Sequence, residues 1–280
     1  MATLSPSSLP FLGAGLGYRR AIRGFYREHR DTLGFLEVMP EHLLDAGPDA
    51  RAALYGDCAP FPVVTHSVSL SIGTATGPDA AFLPKLARIN RRLKAPWCSD
   101  HLCFTRIGGR AIGQLTPIPY TDGSLAAVVR NVKAVQKAVG IPFLVENISQ
   151  YFQFPGNTMG EPEFLAEVTR KTGCGALLDV TNLRNNAANL GTDPERYLTE
   201  FPLERLVQFH LAGSEWIGGK LLDTHGAAIH PEVWRMTKRV IDSSHVRALL
   251  IERDQTFGSL ARLAGEMKKA HRLMQGASGA

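Results

Sequence analysis

Short apolar runs alternate with longer amphipathic stretches along this chain. Runs at 11–16, 34–38, 61–66, 95–99, 141–145, 175–178, 205–209 and 248–251 are nearly uninterrupted and too short for helices, so they predict eight buried strands. Helical spacing predicts helices over 18–30, 41–54, 79–93, 122–139, 161–172, 193–200, 231–242 and 258–273. In the third of these, Phe82, Leu83, Leu86, Ile89 and Leu93 fall on one face. Strand-then-helix repetition implies a parallel sheet with helices outside. Eight such units in 280 residues match an α/β (β/α)8 TIM barrel forming a single domain over 1–280. Residues 1–10 and 275–280 are expected to fray. No linker splits the chain, and nothing repeats beyond the βα period.

The breaks in the pattern exclude two nucleotide motifs. Gly13, Gly15 and Gly17 lack the further glycine of a dinucleotide fingerprint, because Tyr18 occupies that place; they predict a tight strand-to-helix turn. The loop 67–77 has no Gly-Lys-Ser/Thr, so it is no P-loop. Residues 102–119, punctuated by Gly and Pro, predict a hairpin or lid, and 151–158 a second loop.

Composition narrows the class. Hydrophobic residues make up 44% and charged residues 20%, enough for a large core. No apolar run reaches the roughly 18 residues of a membrane span, and no signal peptide is read at the start, so no membrane partner is expected. The four cysteines form no C-x-x-C pair, which fits a reducing cytoplasmic location. The net charge of +5 reads as a solvated surface or an attraction for an acidic peptide. Basic residues do not interleave with aromatics, so no nucleic-acid partner is expected.

The candidate chemistry lies at the strand ends. In a barrel the C-terminal ends of the strands ring one mouth. Here they carry His66, His101, Glu146, Asp179, His210 and Glu252, with Asn182 three residues beyond Asp179. The loop after the seventh strand adds Asp223 and His225, two apart and pointing the same way if extended. Singly, each has an ordinary explanation. Asp179 fits a helix cap, Asn182 a turn and Glu252 a partner for Arg253. Glu37, Glu41 and His42 are assigned to a strand end and a helix start. Together, however, ionisable groups at the ends of apolar strands are costly unless paired or bound to cations. Four histidines and four carboxylates suit two or three divalent cations. The mixed donor set points to iron, manganese or zinc, with Cys103 the one thiol nearby.

The motifs carrying these residues resemble a known family, the multinuclear non-heme iron-dependent oxidases that modify ribosomally made peptides, of the methanobactin-biosynthesis type. They run in order: His66 to Gly73, Ser99-Asp100-His101-Leu102-Cys103, Leu144-Val145-Glu146-Asn147, Phe154 to Met159, Leu178-Asp179-Val180-Thr181-Asn182, His210-Leu211-Ala212-Gly213, Asp223-Thr224-His225-Gly226 and Ile251-Glu252-Arg253-Asp254. Thr181 departs from the commoner Asp-Val-Asn-Asn form but leaves both donor types in place. The resemblance implies a TIM barrel holding two or three irons in mixed Fe(II)/Fe(III) states, with O2 as co-substrate. It implies His66, His101 and Glu146 as ligands of one iron. His210, Glu252, Asp179 and Asn182 would hold a second, with Glu146 bridging, and Asp223 and His225 a third. Asn147 and Arg253 are expected to orient substrate or support the ligands. The implied substrate is a precursor peptide, modified at a residue such as cysteine, with a second protein recognising its leader. Products within the family differ.

Two other readings use the same residues. A multinuclear isomerase or hydrolase of the xylose-isomerase or endonuclease IV kind also gathers His and carboxylate donors in a barrel. A non-catalytic metal-dependent peptide-binding module would need no open coordination position.

Overall fold

The structure is a computed structural model that describes residues 4–254 and 257–277. Eight parallel strands close into a barrel: β1 (Gly13–Gly17), β2 (Phe35–Val38), β3 (Val63–His66), β4 (Cys98–His101), β7 (Phe143–Glu146), β8 (Gly175–Asp179), β9 (Leu206–Leu211) and β12 (Ala248–Ile251). β1 closes the ring by pairing with both β2 and β12. Two antiparallel hairpins are inserted at the strand ends. β5 (Phe104–Ile107) and β6 (Arg110–Thr116) follow β4; β10 (Ser214–Ile217) and β11 (Lys220–Asp223) follow β9. The first hairpin was expected. The second lies where the sequence predicts only a loop.

Among the described residues ten helices pack outside or cap the ends. They are α1 (Arg23–Glu28), α2 (Pro40–Asp45), α3 (Pro48–Cys58), α4 (Leu83–Leu93), α5 (Asp122–Val139), α6 (Glu161–Thr172), α7 (Val180–Leu190), α8 (Pro194–Glu200), α9 (Pro231–Ile241) and α10 (Leu260–Ala277). The expected helix over 18–30 is only α1 flanked by 3-10 turns. The helix expected over 41–54 breaks at Gly47-Pro48, because the residue before a proline is driven out of the helical region. α4 starts four residues late, since Pro84 is tolerated only in a first turn. α7 was not anticipated: its asparagine-rich sequence has poor helix propensity. Asp179 starts it by accepting from Asn182 N at 2.7 Å.

The chain ends also differ from expectation. Leu4 and Leu9 pack on the apolar floor of the barrel, and Arg205 and Arg247 donate to the carbonyls of Leu4 and Pro6. Residues 4–10 are therefore tied down. α10 extends helically to Ala277; the rest of the two expected tails lies outside the described residues.

The barrel interior has two layers, which follow from the period of two along each strand. The lower layer is apolar, with Phe35, Val64, Trp97, Leu144, Leu177 and Leu250 in one buried cluster. Two residues further along stand Glu37, His66, Ser99, Glu146, Asp179 and Glu252. On β9 a register shift opposite Ala176 and Leu177 brings Gln208 and His210 onto this inner face. The β1 glycines form the strand itself rather than a turn. A Cβ at Gly15 would lie 2.4 Å from the Phe35 ring, so glycine is what lets that ring fill the floor.

Candidate metal centre

Three donors form a nearly equilateral triangle at the top of the inner layer. His66 Nε2 lies 3.2 Å from His101 Nε2 and 3.2 Å from Glu146 Oε2, and His101 Nε2 lies 3.3 Å from the same oxygen. Donors about 2.0–2.2 Å from one cation stand about 3.0–3.5 Å apart, so this triangle has the size of one face of a coordination sphere. The far nitrogens of the two rings face polar partners, by a hydrogen bond for His66 and by an ion-pair contact without a hydrogen bond for His101. His66 Nδ1 meets Ser99 Oγ at 2.8 Å, and that hydroxyl donates onward to Thr65 O. His101 Nδ1 lies 3.4 Å from Asp100 Oδ1. Each support turns Nε2 toward the cavity, as carboxylate and hydroxyl partners of ligating histidines do.

A second donor group shares Glu146. Its other oxygen, Oε1, lies 2.9 Å from His210 Nδ1, and that nitrogen is 3.5 Å from Glu252 Oε2. Asp179 joins these three, each offering an atom within 4.8 Å of the others. The Asp223–His225 pair stands further out. His225 Nε2 is 2.7 Å from Asp223 Oδ2 and 3.6 Å from Glu252 Oε2, so Glu252 faces both the second group and this pair. Asp223 ends a hairpin strand rather than lying in an irregular loop. His225 adopts a left-handed backbone (φ 53°), an unfavourable conformation for a side chain of this size, and its N–H is fixed to Gly213 O.

The donor set fits metal ions. Glu146 Oε2, Asp179 Oδ2, His210 Nδ1 and Asp223 Oδ1 are buried and satisfy no hydrogen bond. Such orphaned atoms are expensive in a dry interior unless a cation or proton meets them. Electrostatics agrees. Burial and the neighbouring His101 and His210 push His66 well down, toward the neutral ring that ligates. Burial opposes charge on His210, but Glu37, Glu146 and Glu252 outweigh it and raise that ring well above its usual range. Burial, then Asp223, Glu146 and Glu252, push Asp179 well up. In the absence of metal His210 and Asp179 hold protons where cations would neutralise the same charge.

The remaining sequence candidates have other surroundings. Asn182 reaches the cavity, but its Oδ1 accepts from Ser149 Oγ at 2.5 Å and its Nδ2 donates to Asn147 O. Asn147 is fully buried, and its amide bonds both the N–H and the carbonyl of Asp179, at 2.8 and 3.0 Å. Arg253 points away from the mouth. It donates to Glu252 O and pairs with Glu266 on α10. Both therefore hold the backbone of a donor residue. Cys103 is buried, in none of the donor groups, and burial with Asp100 and Glu146 nearby keeps its thiol protonated.

Three residues that the sequence reading named without a role at the site belong to it or support it. Glu37 is buried with its Oε2 3.1 Å from His210 Nε2, and belongs to a donor group with His66 and His210. Its signal was present: Phe35 and Glu37 repeat the apolar-then-donor spacing of Val64 and His66. Asp100 accepts from Leu70 N at 2.8 Å, and Glu41 from Ser67 Oγ at 2.6 Å. Together they pin the loop after β3. No pattern marks residues whose role is to hold a distant loop.

A cavity of about 410 Å³ opens above the donors. Its walls come from both hairpins and the loop after β7, through Leu115, Tyr151, Leu222 and Asp223. Among the described residues, seven of the nine large hydrophobic side chains that are exposed lie on these segments: Ile107, Ile112, Leu115, Tyr151, Phe152, Trp216 and Ile217.

Comparison with known proteins places the chain. Residues 13–275 match the family model described as RiPP precursor modification enzyme MbnB/TglH/ChrH. A UPF0276 protein of Chromobacterium violaceum is 40% identical over 278 residues, covering 98% of this chain and 99% of that protein. A UPF0276 protein of Caulobacter vibrioides is 36% identical over 262 residues, covering 93% and 94%. Among solved structures, a xylose isomerase domain protein from Planctomyces limnophilus superposes with a TM-score of 0.61 at 11% identity, covering 97% of this chain and 100% of that one. A D-psicose 3-epimerase from Clostridium cellulolyticum H10 gives 0.53 at 12%, covering 95% and 97%. At such identities the likeness establishes the barrel alone.

Proposed function

The chain belongs to the RiPP precursor modification enzyme family MbnB/TglH/ChrH, and we propose that it is a multinuclear iron-dependent oxidase that uses O2 to modify a residue, cysteine by preference, of a ribosomally made precursor peptide. The observation that carries this reading is Glu146, whose two oxygens face separate donor groups. The proposed ligands are His66, His101 and Glu146 for one iron, and Glu146, Asp179, His210 and Glu252 for a second, with Asn182 beside it. Asp223 and His225, with Glu252, are proposed for an outer third.

Iron bound here would supply open coordination positions and redox chemistry with O2. The chain's own residues do the rest. The serine and aspartate behind His66 and His101 fix ring orientation. The apolar lower layer closes the floor against water, and the hairpins wall the mouth. The exposed apolar rim supports a peptide substrate, since surface apolar residues gathered around one cavity favour an apolar ligand. We further propose that a leader-recognising protein delivers the peptide, in the cytoplasm. Among the described residues no helix is long and apolar enough to cross a membrane.

Anaerobic purification with metal analysis and Mössbauer spectroscopy tests the reading. Two or three irons per chain and O2-dependent turnover of a peptide are expected. Stoichiometric zinc supporting turnover without O2 would overturn it.

A further inference from the structure

His210 differs from the other two inner histidines in the nitrogen it presents. His66 and His101 offer Nε2 to their shared oxygen, whereas His210 offers Nδ1 to Glu146 and Glu252. The opposite nitrogen of His210 points down the barrel toward Glu37, 173 residues away in sequence. An imidazole that ligates through Nδ1 carries its proton on Nε2, and that proton needs an acceptor.

The surroundings leave one acceptor. Trp97 Nε1 is a donor only, and it gives its hydrogen to Gln208 Oε1 at 2.7 Å. That bond fixes the Gln208 amide with its nitrogen upward, 2.6 Å from Glu37 Oε2 and 2.8 Å from His210 Nε2. The amide nitrogen only donates, so it takes no proton from the ring. Glu37 Oε2, at 3.1 Å, accepts it. With the ring proton on Nε2, the amide and the ring both donate to Glu37, and their own 2.8 Å separation is a contact and not a hydrogen bond. Trp97, Gln208 and His210 are fully buried and Glu37 nearly so, so no bulk water competes. The same Glu37 oxygen is already engaged by Gln208, which favours a supporting role for Glu37 over direct ligation.

We propose that Glu37 is a positioning residue that commits His210 to metal binding through Nδ1, with Trp97 and Gln208 as the scaffold that holds the carboxylate in place. The inference rests on the metal-centre reading above. It extends that reading to the floor of the barrel: the lower layer fixes the tautomer of one ligand as well as packing the core. Loss of a supporting carboxylate behind a ligating histidine typically weakens metal binding about 10- to 100-fold.

The test uses the full chain loaded with Zn(II), a diamagnetic stand-in, and 15N-labelled at histidine. In the parent protein, His210 is expected to coordinate through Nδ1 with its proton on Nε2, while His66 and His101 coordinate through Nε2. Glu37→Gln, which keeps volume, should lose the Nδ1 signature and about 10-fold or more in affinity for one metal equivalent, with the His66 and His101 signals unmoved. Trp97→Phe, which frees Gln208 without touching the carboxylate, should weaken the same equivalent less. Nε2 coordination by His210 in the parent protein, or unchanged affinity and spectra in both variants, would overturn the role of Glu37. A parent protein that binds no metal would instead overturn the metal centre itself, so the two failures are distinguishable.

Discussion

Glu146 and His210 meet at 2.9 Å, Oε1 to Nδ1, with β8 lying between their strands. The other Glu146 oxygen is 3.2 Å from His66. One carboxylate thus serves two donor groups. Glu146→Ala is expected to lose more than one metal equivalent per chain, and His66→Ala only one. Metal content after anaerobic purification decides this; equal losses would remove the bridging role.

His225 holds a left-handed backbone conformation that disfavours side chains by about 1–2 kcal/mol. His225→Gly should leave the melting temperature of the metal-free protein unchanged or higher. It should also cost one metal equivalent and most of the activity. Full metal content and activity in this variant would show that the Asp223–His225 pair is only structural.

Glu161 is buried at the start of α6, where it accepts from Tyr120, Tyr197 and Gln150. Burial raises its carboxyl from 4.5 to about 7, against those hydrogen bonds. A raised folded-state value means the folded chain holds the proton more tightly than the unfolded chain. Its contribution is therefore fully present below about pH 4.5 and lost as pH rises through about 7, a span of at most about 3 kcal/mol. Glu161→Gln should flatten this part of the profile. Denaturant melts of both proteins between about pH 4 and 8 should show the parent losing stability relative to Glu161→Gln between about pH 4.5 and 7, with the two slopes alike outside that window; profiles parallel throughout would contradict the assignment.

Gly15 leaves room for the Phe35 ring, which a Cβ would meet at 2.4 Å. Gly15→Ala should destabilise the barrel by about 1–3 kcal/mol through overpacking. Phe35→Leu in the same chain should recover part of that loss, because the two sites share one contact. Additive losses in a double-mutant cycle would count against the steric explanation.

Trp216 is 62% exposed on β10, in the hairpin whose other strand supplies Leu222 and Asp223 to the cavity wall. Trp216→Glu is expected to raise KM for the precursor peptide several-fold while kcat and metal content stay near parent values. A fall in kcat alone would place the residue outside peptide binding.

Much of this was readable from one dimension. Apolar runs closing on His66, His101, Glu146, Asp179, His210 and Glu252 identify both the barrel and its mouth, because parallel strands deliver their ends to one face. Helices α5 and α6 match their predicted limits, since each has a strong start signal and a glycine just beyond its end. Elements with weak local signals were missed. α7 depends on the Asp179 cap and on packing, and the hairpin β10–β11 is tied along its far strand by the Asn189 side chain bonding Leu221 at 2.8 and 2.9 Å.

The sequence by itself determined the order of elements, the floor-and-donor alternation along each strand and the kinds of donor present, because these depend on spacing within single segments. Only the tertiary structure decided which nitrogen each histidine presents, that Glu146 faces two groups at once, that Glu37 belongs to the site, and that Asn147 and Arg253 hold the backbones of Asp179 and Glu252. Those facts depend on angles between strands far apart in the chain. The β9 register shift and the fixed orientation of Gln208 against Trp97 set such angles, and neither leaves a trace in residue order.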